Sequence, residues 1–310
     1  MPESAQMVTP AQRKWLPWLT AVGFFMQTLD GTILNTALPN MAETLGESPL
    51  QMQSVVIAYM LTVALLIPAS GWLADRFGTR RIYLAAILLF TLGSLACAAA
   101  NTLPMLVAAR VLQGVGGALL MPIGRLAVLR VYSKHELLRV MSFVTIPGLV
   151  GPLIGPALGG WLVEVASWHW VFLINLPVGI LGFIASWYFM PDLRQGTATF
   201  DWQGFVMFSA GMVLVSVGLQ GLGEHSISTG WALFALLFGL AAMASYWLYA
   251  ANAEEPLFSL ALFKTSTFAI GIWGNLFARL GSGAMPFLTP LFLQLGLGFS
   301  PSKAGMTMIP

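Results

Sequence analysis

The chain alternates long apolar runs with short polar connections along most of its length. Each run has about 20 residues, the length at which an α-helix spans the hydrocarbon core of a bilayer. Because every backbone polar group in lipid has to be hydrogen-bonded within the protein, such runs predict an all-α transmembrane bundle rather than a barrel. We count nine predicted spans: Trp15–Ala37, Ser54–Ala74, Ile82–Ala100, Leu103–Leu126, Val140–Val163, Trp170–Phe189, Trp202–Leu222, Trp231–Ala251 and Phe268–Leu291.

A tenth helix is predicted to begin at Ser300–Ala304, a few residues before the sequence stops at Pro310. A spanning helix needs about 20 residues. We therefore expect the sequence to be an incomplete chain, with about nine full spans of a larger bundle.

The composition excludes an aqueous globular fold. Of the 310 residues, 57% are hydrophobic and only 8% are charged, whereas a soluble domain averages about 25% charged residues. The single cysteine, Cys97, excludes an internal disulfide. The sequence has no Gly-Lys-Ser/Thr phosphate-binding loop, no zinc-type Cys/His spacing and no nucleophile–base set at one depth. We expect no enzyme activity, no cofactor, no metal site and no nucleic-acid partner.

The cationic residues collect in alternate connections, which sets the predicted orientation. They lie before the first span and near the inner ends of the second, fourth, sixth and eighth spans: Arg13, Lys14, Arg76, Arg80, Arg81, Arg125, Arg130, Lys134, Arg139, Arg194 and Lys264. The opposite connections hold no Lys or Arg before Lys303. Because short cytoplasmic loops collect Lys and Arg, the N-terminus is predicted to be cytoplasmic.

Three ionisable residues lie deep within predicted spans: Asp30, Arg110 and Arg279. Charges inside a membrane are costly and are functional candidates by default. At the helical rise per residue, Asp30 and Arg110 each lie about 10 Å from the outer ends of their spans. They are opposite in sign and at similar depth, so they are predicted to pair. Arg279 lies about 16 Å into the ninth span.

Two interpretations of this pair remain open. A carboxylate next to an arginine in a membrane can exchange a proton as hydration changes, because burial and the cation act on it in opposite directions. Alternatively, Asp30 and Arg110 form a permanent structural ion pair. Polar neighbours at Gln27, Gln113 and Asn175 are further candidates for coupling or substrate contact.

The fifth span carries a repeated Gly-Pro pattern, GLVGPLIGPALGG. A spacing of four residues puts Gly151, Gly155 and Gly159 on one helix face, where small residues allow a neighbouring backbone to approach. The prolines remove helical hydrogen bonds. These features predict a smooth, bendable helix. The residues that give it these properties are Gly148, Gly151, Pro152, Gly155, Pro156, Gly159 and Gly160.

The connection between the second and third spans reads GWLADRFGTRR. The segment Asp75–Arg81 is too short for anything but a tight hairpin at the membrane surface. Its pattern of glycines, an acid–base pair and a basic pair resembles the cytoplasmic signature of the major facilitator superfamily of secondary transporters. The matching residues are Gly71, Asp75, Arg76, Gly78, Arg80 and Arg81.

Four more motifs resemble signatures of the fourteen-helix drug:proton antiporter branch of that family. They are Gln27–Pro39, Arg110–Leu120, Gly148–Gly160 and Ser167–Gly179. The last departs from the pattern at His169, where arginine is usual. The resemblance implies that the hairpin is a conformational latch, that Arg110 takes part in proton coupling, and that the Gly-Pro helix is associated with exporters.

The resemblance also implies a domain organisation. Residues 1–192 would form a six-helix half, 193–263 two inserted transmembrane helices, and 264–310 the start of the second half. The expected activity is proton-coupled export of drugs or other small amphipathic compounds by a monomer in the bacterial inner membrane. Two alternatives remain: an exporter of one metabolite, such as a siderophore or a metal–organic acid complex, and a membrane sensor that does not transport.

Overall fold

The computed structural model describes residues 8–194, 199–224, 227–282 and 285–308. No strand occurs within these ranges, which confirms the all-α class. The helices are α1 (Pro10–Ile33), α2 (Leu38–Leu45), α3 (Gln53–Leu66), α4 (Ser70–Phe77), α5 (Thr79–Ala98), α6 (Leu103–Val131), α7 (Lys134–Val165), α8 (Trp170–Leu173), α9 (Asn175–Phe189), α10 (Trp202–Glu224), α11 (Thr229–Asn252), α12 (Ser266–Ser282), α13 (Met285–Leu291) and α14 (Pro301–Thr307).

Seven helical segments in the described part of the chain are long and apolar enough to cross a membrane. They are Gln53–Phe77, Thr79–Ala98, Leu103–Val131, Lys134–Val165, Trp170–Phe189, Trp202–Gly223 and Thr229–Asn252. The predicted first span lies in α1, whose 24 residues include Gln27 and Asp30. These polar side chains lower its mean hydropathy, so α1 is not one of the seven. It nevertheless packs along α6, α7 and α9, and each of these three helices belongs to one of the seven segments.

The predicted ninth span, Phe268–Leu291, falls on two described helical segments. Helix α12 ends at Ser282 and α13 begins at Met285, and residues 283–284 lie outside the described ranges. The predicted tenth helix begins as α14, where the Ser300 side chain accepts a hydrogen bond from the Lys303 backbone N–H.

The chain divides into two compact units, one of Met1–Thr197 with Pro286–Pro310 and the other of Ala198–Met285. In the second unit, α10 and α11 pack against each other along their length. The predicted division into a first half, two inserted helices and the start of a second half stays a prediction. The candidate site lies in the first unit.

The predicted hairpin Asp75–Arg81 is tighter than the sequence pattern indicates. Helix α4 continues through Phe77 and α5 begins at Thr79, so only Gly78 connects them. Gly78 has a φ of +93°, which glycine adopts without steric cost. The Thr79 hydroxyl donates to the Pro191 carbonyl at 2.7 Å. The turn is therefore tied to the segment that follows α9.

Helix α6 is the central element of the first unit, and it packs against α1, α3, α4 and α5. Its closest neighbour is α5. A Cβ atom at Gly93 would lie 2.5 Å from the backbone N of Gln113, and one at Gly116 would lie 2.6 Å from the Ala86 carbonyl oxygen. Only glycine permits such an approach of two helix backbones.

Helices α1 and α7 meet through matched threonines and glycines. Thr28, Thr32 and Thr36 lie against Gly151, Gly155 and Gly159 respectively. Both series repeat every four residues, so each forms one stripe along its helix. The Thr32 and Thr36 hydroxyls donate to the Gly151 and Pro156 carbonyls at 3.4 and 3.1 Å. The glycine face predicted for the fifth span is therefore the face that contacts α1.

Two buried apolar clusters fill the first unit. One includes Ile33, Val55, Cys97 and Ala109, and the other includes Met26, Tyr59, Phe90 and Leu119. On each of α1, α3, α5 and α6 the two clusters occupy successive stretches of the helix. Polar side chains lie between the two clusters along these helices.

The α1–α7 contact predicts a stability difference between two glycines. A Cβ at Gly151 would lie 2.6 Å from Thr28 Oγ1 and 2.8 Å from the Leu29 backbone N, whereas nothing lies within 4 Å of one at Gly31. We expect Gly151→Ala to destabilise the protein by about 1–3 kcal/mol. Gly31→Ala should be neutral or stabilising, because alanine favours helix by about 1 kcal/mol.

Thermal unfolding of the purified protein in detergent would measure both variants. Equal melting temperatures for Gly151→Ala and Gly31→Ala would contradict the close α1–α7 contact.

Candidate functional site

Asp30 of α1 and Arg110 of α6 form an ion pair inside the helix bundle. Arg110 Nη1 lies 2.6 Å from Asp30 Oδ2, and both side chains are 1% exposed. Removing an isolated charge from water costs several kcal/mol even after relaxation, so neither group is stable there alone. The structure thus brings together the two charges that the sequence places at similar depth.

Two amides complete the shell around the Asp30 carboxylate. Gln113 Nε2 donates to Asp30 Oδ1 at 2.7 Å, and Asn175 Nδ2 donates to the same oxygen at 3.0 Å. Both amide groups also donate to Ser94 Oγ, at 2.7 and 3.2 Å. Gln113 and Asn175 therefore bridge one pair of acceptors from two different helices, α6 and α9.

The Arg110 guanidinium is held on its other sides as well. Nη1 donates to Gln113 Oε1 at 2.6 Å, and Nε donates to the Val55 carbonyl at 3.4 Å. The Tyr59 ring centre lies 4.1 Å from Arg110 Cζ, and the Phe172 ring centre lies 5.9 Å away. A desolvated guanidinium over an aromatic face is attracted to it by about 2 kcal/mol.

The arrangement of donors fits the carboxylate form of Asp30. Arg110, Gln113 and Asn175 all donate to it. A protonated carboxyl would carry its own O–H donor and would lose the ion pair, so it needs a different set of neighbours. These donors therefore hold the Asp30 side chain of α1 against both α6 and α9.

Two other candidates from the sequence lie outside this cluster. Gln27 is half-buried on α1, one turn before Asp30, and its Oε1 has no hydrogen-bond partner among the described residues. Arg279 belongs to the second unit, where it is exposed on α12 and Nε donates to Asn275 Oδ1 at 3.3 Å. A buried, unpartnered amide oxygen is available to a donor that arrives from outside.

One hairpin residue, Asp75, takes part in a second charged contact. Asp75 forms an ion pair with Arg130 of α6, whose side chain is 7% exposed. The sequence pattern assigns Arg130 to a connection, but α6 continues to Val131, which buries Arg130 within the unit. Its Nε and Nη1 have no hydrogen-bond partner among the described residues. Asp75 is therefore its hydrogen-bonding partner in that part of the chain.

The remaining hairpin cations make contacts on other faces. Arg76 Cζ lies 5.5 Å from the Trp72 ring centre. Arg80 donates to the Trp187 carbonyl and lies 5.6 Å from the Trp187 ring centre. Arg81 is exposed. A Cβ atom added at Gly71 would have nothing within 4 Å. The six hairpin residues thus do not converge on one point.

His169 lies at the opposite end of the unit, immediately before the span that contains α8 and α9. Its ring stacks on Trp168 with centres 3.7 Å apart, and Nδ1 lies 3.3 Å from Ser167 Oγ. Partial burial lowers the pKa of His169 below its usual value because desolvation disfavours the charged ring. The ring is therefore neutral over more of the physiological pH range than a free histidine.

Sequence reasoning missed Ser94, Tyr59 and Arg130 as members of these sites. Ser94 follows Gly93, the residue that lets α5 approach α6, and it lies at the level of Gln113 for that reason. Tyr59 is one of many aromatics in apolar runs and carries no local signal. Arg130 carries a weak sequence signal, because it lies five residues after Arg125 and the helix could extend past its predicted end.

Comparison with known proteins agrees with this architecture. The sequence profile of the Major Facilitator Superfamily matches residues 20–310. The chain is 56% identical over 308 residues, 98% of its length, to the "Putative multidrug resistance protein MdtD" of Pectobacterium atrosepticum, and covers 65% of that protein. It is 52% identical over 300 residues to the protein of the same name from Serratia proteamaculans, of which it covers 63%. The chain thus spans slightly less than two thirds of these relatives.

Among solved structures, a POT family transporter in complex with 5-aminolevulinic acid matches with a TM-score of 0.59 and 18% identity, over 81% of this chain and 56% of that one. This likeness concerns the fold alone. The profile match over nearly the whole sequence and the relatives above half identity agree with the five motifs. The chain belongs to the Major Facilitator Superfamily, a family of membrane transporters.

Proposed function

We propose that this chain is part of a proton-coupled exporter of small amphipathic compounds, in which Asp30 carries the proton. The observation that supports the proposal most directly is the buried carboxylate itself, held by donors from α6 and α9. Ionisable groups within the membrane typically mark proton or substrate pathways. No carboxylate other than Asp30 is fully buried in the described residues.

In the proposed cycle, Asp30 is ionised while it is paired with Arg110. A proton arriving from the outer side neutralises Asp30, and Arg110 loses its charged partner. The two helices α1 and α6 then move relative to each other, since the shell fits only the ionised form. Release of the proton towards the cytoplasm restores the ion pair and resets the transporter. An ion pair that forms and breaks in this way supplies the two-state element that coupling requires.

Export of drugs is supported by the relatives, whose names assign them to multidrug resistance. The glycine stripe of α7 supports a moving contact, because glycines leave a smooth surface along which α1 can slide. The prolines of α7 support bending of the helix, because they remove backbone hydrogen bonds. Gln27, Gln113, Asn175 and Arg279 remain the candidates for substrate or coupling contacts. Export of one metabolite by the same machinery and a sensor role are the alternatives.

The proposed orientation puts the N-terminus in the cytoplasm and the protein in the bacterial inner membrane. Arg13 pairs with Glu136 at 2.5 Å, and the Tyr132 hydroxyl donates to the Arg13 carbonyl. The start of α1 and the α6–α7 connection therefore lie at one end of the unit. That end carries most of the cations of the unit, as cytoplasmic ends do.

The proton-coupling proposal predicts a charge-specific loss of proton release. When amphipathic cations are added to the purified protein in weakly buffered detergent solution, at a pH acidic enough for Asp30 to carry the proton of the proposed cycle, the wild type should release protons and Asp30→Asn should not. Glu43→Gln, which neutralises an exposed carboxylate of α2, should release as the wild type does. Unchanged release from Asp30→Asn would reduce Asp30 to a structural partner of Arg110. A response to several unrelated cations would favour a drug exporter over a metabolite exporter.

The ion pair predicts non-additive effects on stability. Asp30→Asn and Arg110→Gln should each destabilise the protein by about 3–5 kcal/mol, because each leaves one buried charge without its partner. The double variant should lose less stability than the sum of the two single losses, since it leaves no buried charge. Melting temperatures of the wild type, the two single variants and the double variant would measure this coupling in a double-mutant cycle. Additive losses would mean that the two charges do not interact.

The Asp75–Arg130 pair predicts a second, separable defect. Asp75→Asn leaves Arg130 buried without a charged partner, so we expect transport to fall at least tenfold while Asp30-dependent proton release persists. Arg13→Gln breaks an ion pair with side chains 46% and 43% exposed at the same end. Such pairs contribute little, and transport by reconstituted protein should stay within about twofold. Equal losses in the two variants would argue against a latch at Asp75.

A further inference from the structure

A groove on the side of the first unit has no role in the proposed transport cycle. It lies between α1, α5 and α9 and has a cavity volume of about 320 Å³. Its walls are almost entirely apolar and include Trp15, Trp18, Val22, Ile87 and Leu181. Leu181 is 68% exposed and Trp18 is 52% exposed, so the groove is open along its side. In a membrane-spanning unit, such a groove accepts a hydrocarbon chain.

A second, polar cavity of about 400 Å³ lies near one end of the same three helices. It is lined by Gln12, Arg80, Asp192 and Arg194, among others. Gln12 precedes Trp15 by one turn of α1, Arg80 precedes Tyr83 of the groove by one turn of α5, and Asp192 and Arg194 follow the end of α9. The polar cavity therefore lies beyond the groove, in the same direction along all three helices.

The charges of this polar cavity favour an anion. Arg80 and Arg194 contribute two positive charges against the single negative charge of Asp192, which leaves a net charge of +1. Arg194 and Asp192 lie 3.2 Å apart and are both largely exposed. Clusters of basic side chains between transmembrane helices at this level typically bind the head groups of anionic lipids.

Ser186 gives an independent indication of a ligand. It lines the groove, its side chain is 1% exposed, and its Oγ has no hydrogen-bond partner among the described residues. A buried hydroxyl without a partner is uncommon and calls for an acceptor. Ser186 lies three residues before the end of α9 at Phe189, which is about 4.5 Å below the helix end. A lipid inserted in the groove has its ester carbonyls close to that depth.

We propose that this groove binds one phospholipid with a net negative head group. Its phosphate lies in the polar cavity near Arg80 and Arg194, an ester carbonyl accepts the Ser186 hydroxyl, and one acyl chain lies between α1, α5 and α9. Interfacial tryptophans on both sides support this position, since Trp15 and Trp187 lie at the level where indole rings prefer to sit. An amphipathic cation would fit the groove but not the basic cavity at its end.

The chain offers a variant that fills the groove without disturbing the helices. Gly182 lines the groove, and no atom lies within 4 Å of a Cβ at that position. Gly182→Leu should therefore project into the space of the acyl chain. Gly230→Leu is the matched control, because Gly230 is exposed on α11 and is equally open. Arg194→Gln tests the charge at an exposed position outside the helices.

The experiment is native mass spectrometry of the purified, delipidated protein titrated with phosphatidylglycerol or phosphatidylcholine carrying the same acyl chains. The wild type and Gly230→Leu should each retain one phosphatidylglycerol, at least tenfold more tightly than phosphatidylcholine. Gly182→Leu should bind phosphatidylglycerol at least tenfold more weakly, and Arg194→Gln should lose the preference between the two lipids. Ser186→Ala should weaken both lipids alike.

Equal binding of the two lipids by the wild type would overturn the proposal, as would undiminished binding by Gly182→Leu. The comparison of lipids in the wild type and in Arg194→Gln does not depend on whether Gly182→Leu folds. The titration also needs no transport assay, so its outcome is separate from that of the proton-release measurement.

Discussion

The cost of removing charge from water is the constraint on which the first unit depends. Asp30 and Arg110 are both 1% exposed, and each is stable only while the other is present and the remaining donors and acceptors are matched. Four helices supply those matches: α1 carries the acid, α6 the base and Gln113, α5 Ser94, and α9 Asn175. The position and rotation of each helix are therefore fixed by one polar cluster, which lies between two apolar ones that provide little directional preference of their own.

Such a cluster requires helices that lie unusually close together, and glycine provides that closeness. Gly93 and Gly116 bring the α5 and α6 backbones into contact, so the short side chain of Ser94 can reach Gln113. The stripe of Gly151, Gly155 and Gly159 does the same for α7 against α1. In lipid, helices gain no hydrophobic energy by associating, so packing and interhelical hydrogen bonds have to hold them. The hydroxyls of Thr32 in α1 and of Thr36 just after it donate to α7 carbonyls, and they supply part of that energy while leaving the contact smooth.

The first unit has candidate functional surfaces of three kinds. The central cluster is buried and pairs one negative with one positive charge. The Asp75–Arg130 pair lies at one end, where two nitrogens of the buried arginine have no hydrogen-bond partner among the described residues and the third donates to the Asp75 carboxylate. The groove between α1, α5 and α9 is apolar with a basic end. We propose a different partner for each: a proton for the central cluster, another state of the protein for the Asp75–Arg130 pair, and a lipid for the groove.

The sequence by itself determined the class, the family and the two central charges. Apolar runs of spanning length, few charged residues and the depth of Asp30 and Arg110 along their runs are local properties, and five motifs added the family. Tertiary structure decided the rest. Asn175 contacts Asp30 across 145 residues of sequence, and Ser94 and Tyr59 carry no pattern that separates them from other residues of apolar helices. Arg130 changed from a loop cation to the buried partner of Asp75 because a helix extended by one turn. These contacts depend on how each helix is rotated and how far it slides along its neighbour, and hydrophobic periodicity leaves both undefined in lipid, where the outer surface is as apolar as the core.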